Sequence, residues 1–251
     1  MNTFSLEGKT AVVTGSRRGI GQGLALGLAR AGANIVSIDR NDPDRTRAEV
    51  QALGRTHTWK KLDLLGATKD ELQGCIDEIA AETGLDILVN NAGICPRHPI
   101  TEHPSEYWED TIKLNLSVVW YLSQAAVRHM VAQGHGKIVI TGSALTFQGG
   151  LTVPGYAASK HGVAGLAKAF SNELASKGVN VNVIAPGYIA TDLTEAIQDD
   201  TERNRSILER IPAGRWGTPA DLAGACVFLA SSAADYVNGA VLNVDGGWLG
   251  R

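Results

Sequence analysis

The alternation of short strand-like runs with helix-length stretches is the strongest constraint on this chain. The runs are "TAVVT" at 10–14, "NIVSID" at 34–39, "HTWKKL" at 57–62, "DILVN" at 86–90, "KIVIT" at 137–141, "VNVIA" at 181–185 and "AVLNV" at 240–244. Most are continuously apolar, as strands buried on both faces should be. Between them, residues 19–31 are rich in Ala, Leu and Gly, residues 68–83 are amphipathic, and residues 106–133 suit one or two helices. Strands alternating with crossover helices predict a doubly wound α/β fold with a parallel sheet covered on both sides. No internal repeat, low-complexity segment or Pro/Ser linker interrupts the pattern, so residues 1–251 read as a single domain. Residues 187–215 carry many charges and no strand signal, and a lid over a site is expected there.

Composition removes several function classes. The chain is 44% hydrophobic and 20% charged, an ordinary globular balance. A net charge of −3 and no Lys/Arg cluster give nucleic acid nothing to bind. Cys75, Cys95 and Cys226 are widely spaced and odd in number, which fits neither a disulfide framework nor a zinc site. No metal is expected. The first residues lack a signal-peptide pattern, and no apolar run reaches the roughly 18 residues of a membrane helix. A cytoplasmic location follows as the default.

The first run leads into "TGSRRGIG" at 14–21. Gly15, Gly19 and Gly21 let the backbone turn tightly and let a pyrophosphate approach the start of a helix. The spacing is Gly-x-x-x-Gly-x-Gly, and by itself it also suits a plain strand–helix turn. Asp39, at the end of the second run, is placed to bind a ribose 2′-hydroxyl. Its carboxylate repels a 2′-phosphate and so favours NAD over NADP. Arg17, Arg18 and Arg40 pull the other way, since an arginine could bind that phosphate. Asp63 follows the third run, where it could accept from an adenine amino group. "NNAG" at 90–93 ends the fourth run with residues small enough for a flat ring to approach. The expected crevice takes in Ile20, Leu64, Asn91, Ala92 and Gly93 as well.

In "VPGYAASKHG" at 153–162, Tyr156 and Lys160 are four residues apart. Apolar residues at 163, 166, 167, 170 and 174 have helical spacing, and a helix extended back through 156 puts the pair on one face. A free tyrosine has a pKa near 10, too high for neutral acid–base work. A lysine cation beside it is expected to lower that value, making a general acid/base for alcohol–ketone chemistry. Such pairs also occur on solvated helices. Ser143, thirteen residues earlier in "VITGSALT", adds a hydroxyl able to bond a substrate oxygen, unless it is simply a turn or cap serine. Asn115 in "KLNLS" could fix a break in its helix and hold a water next to Lys160. Arg97 is the first candidate to anchor a substrate carboxylate, with Arg203 and Arg205 behind it. Gln148 could reach substrate hydroxyls.

Taken in order, "TGSRRGIG", "NNAG", Asn115, Ser143, "YAASK" and "PGYIAT" at 186–191 resemble the classical short-chain dehydrogenases/reductases over nearly the whole chain. The resemblance implies a Rossmann sheet of seven parallel strands and a homotetramer. It implies an Asn115–Ser143–Tyr156–Lys160 tetrad, with Lys160 also holding the nicotinamide ribose. It places Pro186, Gly187, Ile189 and Thr191 at the cofactor, the last two on the nicotinamide carboxamide. "VNVNVIAPGYIAT", "RIPAGRWGTPADL" and "FLASSAADYVNGAVLNVDGGWLGR" are similar to bacterial members that act on deoxy sugar acids. "GICPRHPITEHP" departs from them and is expected to shape the substrate pocket. A 3-oxoacyl thioester reductase would carry the same tetrad. A non-catalytic NAD-sensing protein would keep the glycine turn and need neither Tyr156 nor Lys160.

Overall fold

The computed structural model describes residues 2–251. Seven parallel strands form one sheet: β1 (Thr10–Thr14), β2 (Asn34–Asp39), β3 (His57–Lys61), β4 (Ile87–Asn90), β5 (Gly136–Thr141), β6 (Val179–Pro186) and β7 (Val241–Val244). Their order is β3-β2-β1-β4-β5-β6-β7, a doubly wound sheet whose direction of growth reverses between β1 and β4. Ligand crevices of such sheets open at that reversal, beyond the carboxyl ends of the strands.

The helices are α1 (Gly19–Arg30), α2 (Asp44–Ala52), α3 (Lys69–Thr83), α4 (Ser105–Ile112), α5 (Val118–Gln133), α6 (Pro154–Leu174), α7 (Glu195–Gln198), α8 (Thr201–Leu208) and α9 (Pro219–Ala230). Local chemistry sets several of their ends. Thr68 and Glu71 form a reciprocal capping box at α3, and Pro154 occupies the first turn of α6. Gly134, at φ 77°, closes α5 in the left-handed conformation. One sheet face, with Val12, Val36, Leu88, Ile138 and Val181, packs on α3, α5 and α6. The other, with Ala11, Val13, Ile35, Val89 and Val139, packs on α1 and α9. Gly27 lets those two helices touch, since a Cβ there would lie 2.6 Å from that of Ala223.

Three stretches gain detail in the structure. The third and seventh runs are edge strands, and both are only partly buried, unlike the interior strands. The stretch 106–133 forms two helices, and the break expected at Asn115 is a π-helical turn at Lys113–Ser117. Residues 187–215 are more regular than their charge suggested. They hold α7 and α8, and Ile197, Ile207 and Ile211 are buried against Trp248 from the end of the chain. That apolar partner lies too far along the sequence for local pattern to reveal it.

No helix among the described residues is long and apolar enough to cross a membrane. The three cysteines are free thiols.

Candidate active site

A cleft of about 510 Å³ opens at the carboxyl edge of the sheet. Its walls are the turn after β1, the end of β2, residues 62–65, residues 91–94 and the start of α6. Thr191, Asp192 and Leu193 close one side. The glycine turn is a cradle built by close approach. Gly15 and Gly19 have φ of 66° and 58°, and a Cβ on Gly21 would sit 2.1 Å from the Gly15 carbonyl oxygen. The N-cap of α1, Arg18, makes no side-chain cap, so the first amides of this helix stay free beside Gly19, Ile20 and Gly21 on the cleft wall. Free amides and a positive dipole end suit a pyrophosphate.

Asn91 braces the opposite wall. Its amide and that of Ala92 donate to Thr14 Oγ1 at 2.9 and 3.0 Å, and its side chain donates to the Thr14 carbonyl at 3.1 Å. Gly93 stands so close to Asn115 that a Cβ would come 3.0 Å from Oδ1. Asn115 is buried and spends both ends of its amide on Ile94, accepting from its N–H and donating to its carbonyl, each at 2.9 Å. The π-helical turn swings this asparagine toward the segment after β4.

Asp39, Asp63 and Leu64 line the cleft. Asp63 accepts from the Leu65 amide at 3.2 Å. Burial raises the Asp39 carboxyl above the usual range, against hydrogen bonds from Ser16 and the charge of Arg17. Arg17 and Arg40 share this wall, whereas the Arg18 guanidinium is engaged by Asp192 across the cleft mouth.

Tyr156 and Lys160 lie on one face of α6, with the Lys160 ammonium 5.3 Å from the centre of the tyrosine ring. Lys160 is buried and donates to the Thr141 carbonyl at 2.6 Å. Burial pushes it down to about 8. Burial also pushes Tyr156 up to about 12, with the neighbouring Cys95 adding to the rise and Ser143 and Arg97 opposing it. The expected depression of the tyrosine by its lysine is therefore overturned. Removal from water outweighs the contributions of Ser143 and Arg97 and holds the phenol protonated.

Ser143 is both a cap and a partner of Tyr156. Its Oγ accepts from the Leu145 amide at 3.1 Å, which leaves its proton free to donate, and it lies beside Tyr156. Arg97 is exposed near Tyr156, in the loop that joins residues 147–153 through His98 N–H donating to the Thr152 carbonyl at 2.9 Å. Gln148 faces the chain end and accepts from Trp248 Nε1 at 2.9 Å. Arg203 and Arg205 lie on the exposed surface of α8, and Arg205 is paired with Glu209. Pro186 ends β6, Gly187 packs on Asp245, and the Ile189 side chain is in the core, while Thr191 is on the cleft wall. Sequence reasoning missed Thr14 and Thr141, whose only local mark is their place at strand ends, and Ser16 within the glycine turn.

A doubly wound sheet with an uncapped glycine turn and a Tyr–Lys pair at one cleft defines the class of nucleotide-crevice α/β proteins. A family model described as enoyl-(acyl carrier protein) reductase matches residues 15–249. The chain belongs to the short-chain dehydrogenase/reductase family, as the sequence resemblance implied. It is 52% identical over its whole length to the whole of a 2-dehydro-3-deoxy-D-gluconate 5-dehydrogenase from Pseudoalteromonas atlantica. The enzyme of that name from Escherichia coli is 51% identical, with 100% of this chain and 99% of the relative covered. Among solved structures, a candidate 2-deoxy-D-gluconate 3-dehydrogenase from Agrobacterium tumefaciens with bound NADP superposes with a TM-score of 0.94 at 49% identity, both chains fully covered.

Proposed function

We propose that the chain interconverts a secondary alcohol and a ketone on a sugar acid, 2-dehydro-3-deoxy-D-gluconate or 2-deoxy-D-gluconate, with NAD(H) as hydride carrier. The carrying observation is the placement of Tyr156, beside Ser143 and one turn from Lys160, on the wall of a cleft that also holds the free end of α1. The names of the full-length relatives support the sugar-acid class.

When bound, a nicotinamide dinucleotide supplies the hydride acceptor or donor. Gly15, Gly19, Ile20 and Gly21 with the free α1 amides would hold its pyrophosphate, Asp39 a ribose hydroxyl, Asp63 and Leu64 the adenine side, and Asn91–Gly93 with Thr191 the nicotinamide side. Pro186, Gly187 and Ile189 would support Thr191 from behind. The Tyr156 hydroxyl exchanges the proton with the substrate oxygen. Ser143 donates to that oxygen as charge develops on it. Lys160 sets positive charge under the phenol and offers donors to ribose hydroxyls. Asn115 holds Ile94, and with it the wall beside Gly93. Arg97 anchors the carboxylate, and residues 187–215 cover the bound pair.

NAD is preferred on the strength of Asp39. The NADP-bound relative marks NADP as the competing outcome. A homotetramer fits the part-exposed β7 edge and the stacked Trp120–Phe170 pair, with Trp120 at the surface.

The test is an assay with both coenzymes against a panel of sugar acids, with a 3-oxoacyl thioester beside them. Turnover of a keto-deoxy sugar acid with NADH is expected. Exclusive turnover of the thioester would replace the reading. Tight NAD binding without turnover of any alcohol would favour a sensing role.

A further inference from the structure

Asp39 stands at the end of a chain of buried hydroxyls that begins on the edge strand. Its Oδ2 accepts from the Ser16 amide at 3.0 Å and from Ser16 Oγ at 2.8 Å. Ser16 Oγ lies 2.6 Å from Ser37 Oγ, which lies 2.8 Å from His57 Nε2. Ser16 and Ser37 are fully buried, so water does not compete for these bonds.

Counting protons leaves one arrangement. A carboxylate can only accept, so Ser16 gives its single hydroxyl proton to Asp39. Ser16 Oγ then accepts from Ser37, and Ser37 Oγ accepts from His57. The imidazole must therefore carry its proton on Nε2, leaving a bare lone pair on Nδ1. His57 Nδ1 is indeed buried without a hydrogen-bond partner. Burial and the charge of Arg47 push this histidine down to about 4, so the ring is neutral and has one proton to place.

We propose that His57, acting through Ser37 and Ser16, is a positioning residue that holds the Asp39 carboxylate in one orientation and so sets discrimination between a ribose 2′-hydroxyl and a 2′-phosphate. The inference rests on the reading of Asp39 as the ribose contact. With two donors on Oδ2, the carboxylate is a fixed negative charge on the cleft wall. Admitting a phosphate would require it to swing aside and break both bonds. Arg17 and Arg40, on the same wall, would then be free to bind the phosphate. Ser16 sits inside the glycine turn, so the same bonds tie that turn to the end of β2.

The experiment titrates NAD and NADP calorimetrically into the full chain as wild type and as His57→Leu, His57→Gln, Ser37→Ala and Asp39→Ala, with thermal melts to confirm folding. His57→Leu and Ser37→Ala are expected to shrink the ratio of the two dissociation constants about tenfold toward NADP, the scale of one charge-linked hydrogen bond. His57→Gln keeps a donor near the Nε2 position and is expected to retain the wild-type ratio. Nitrogen NMR should show a neutral Nε2–H imidazole in the wild type that is missing from His57→Gln. An unchanged ratio in folded Ser37→Ala, or an Nδ1–H tautomer at His57, overturns the proposal. If His57→Leu fails to fold, Ser37→Ala and the tautomer carry the test. An unchanged ratio in Asp39→Ala would sink the ribose reading itself. A relaxed ratio there, with His57 and Ser37 variants unaltered, would sink only the relay.

Discussion

The Lys160 ammonium is held 5.3 Å from the centre of the Tyr156 ring by a bond to the Thr141 carbonyl at the end of β5. The pair is thus fastened to the sheet and not only to its own helix. Burial keeps the phenol protonated, and it weakens the ammonium, so that Lys160 alone is brought near the loss of its charge.

Tyr156→Phe removes the hydroxyl proposed to exchange a proton with substrate. Turnover should fall by roughly 10²–10⁴-fold, the usual worth of a positioned acid–base group. Coenzyme affinity, measured by fluorescence titration, should stay within a few-fold. Near-normal turnover would reject the assignment.

Lys160→Met should change how stability depends on pH. The folded lysine titrates near 8 and the unfolded one near 10.5. Between those values the unfolded chain binds more protons, so the wild type gains stability as pH rises through this window. The full penalty of the buried cation applies below pH 8, on the order of 3 kcal/mol before the lost Thr141 bond is set against it. Urea unfolding at a series of pH values should find the wild type gaining on Lys160→Met from pH 8 to 10.5. A constant difference would mean that the lysine is not desolvated.

Arg97→Ala tests the carboxylate anchor. The Michaelis constant for a sugar acid should rise about 10-fold or more, with kcat nearly unchanged, because a bond made equally in ground and transition states affects binding alone. An unaltered Michaelis constant would remove Arg97 from the substrate site.

Thr152 is the one non-glycine residue among those described with a positive φ, at 65°. A β-branched side chain is strained there. Thr152→Gly should raise stability by about 1 kcal/mol, the left-handed penalty less the entropy that glycine adds to the unfolded chain. The denaturant midpoint measures it. A lower midpoint would show that the Thr152 hydroxyl, which donates to the Leu151 carbonyl, outweighs the strain.

Amino-acid pattern alone determined the strand order along the chain, the glycine turn at 15–21, and the shared helical face of Tyr156 and Lys160. These depend on alternation, turn geometry and spacing within a few residues, which a sequence displays directly. Tertiary structure alone decided which distant groups meet. Asn115 grips Ile94, Gln148 turns to Trp248 one hundred residues away, and Asp39 is tied through Ser16 and Ser37 to His57. It also reversed the expected shift of Tyr156, because burial depends on everything packed around the phenol and not on the lysine one turn along. Hydrogen bonds across a sheet follow from which strand ends lie side by side, and that order, β3-β2-β1-β4-β5-β6-β7, is set by the packing of the whole chain.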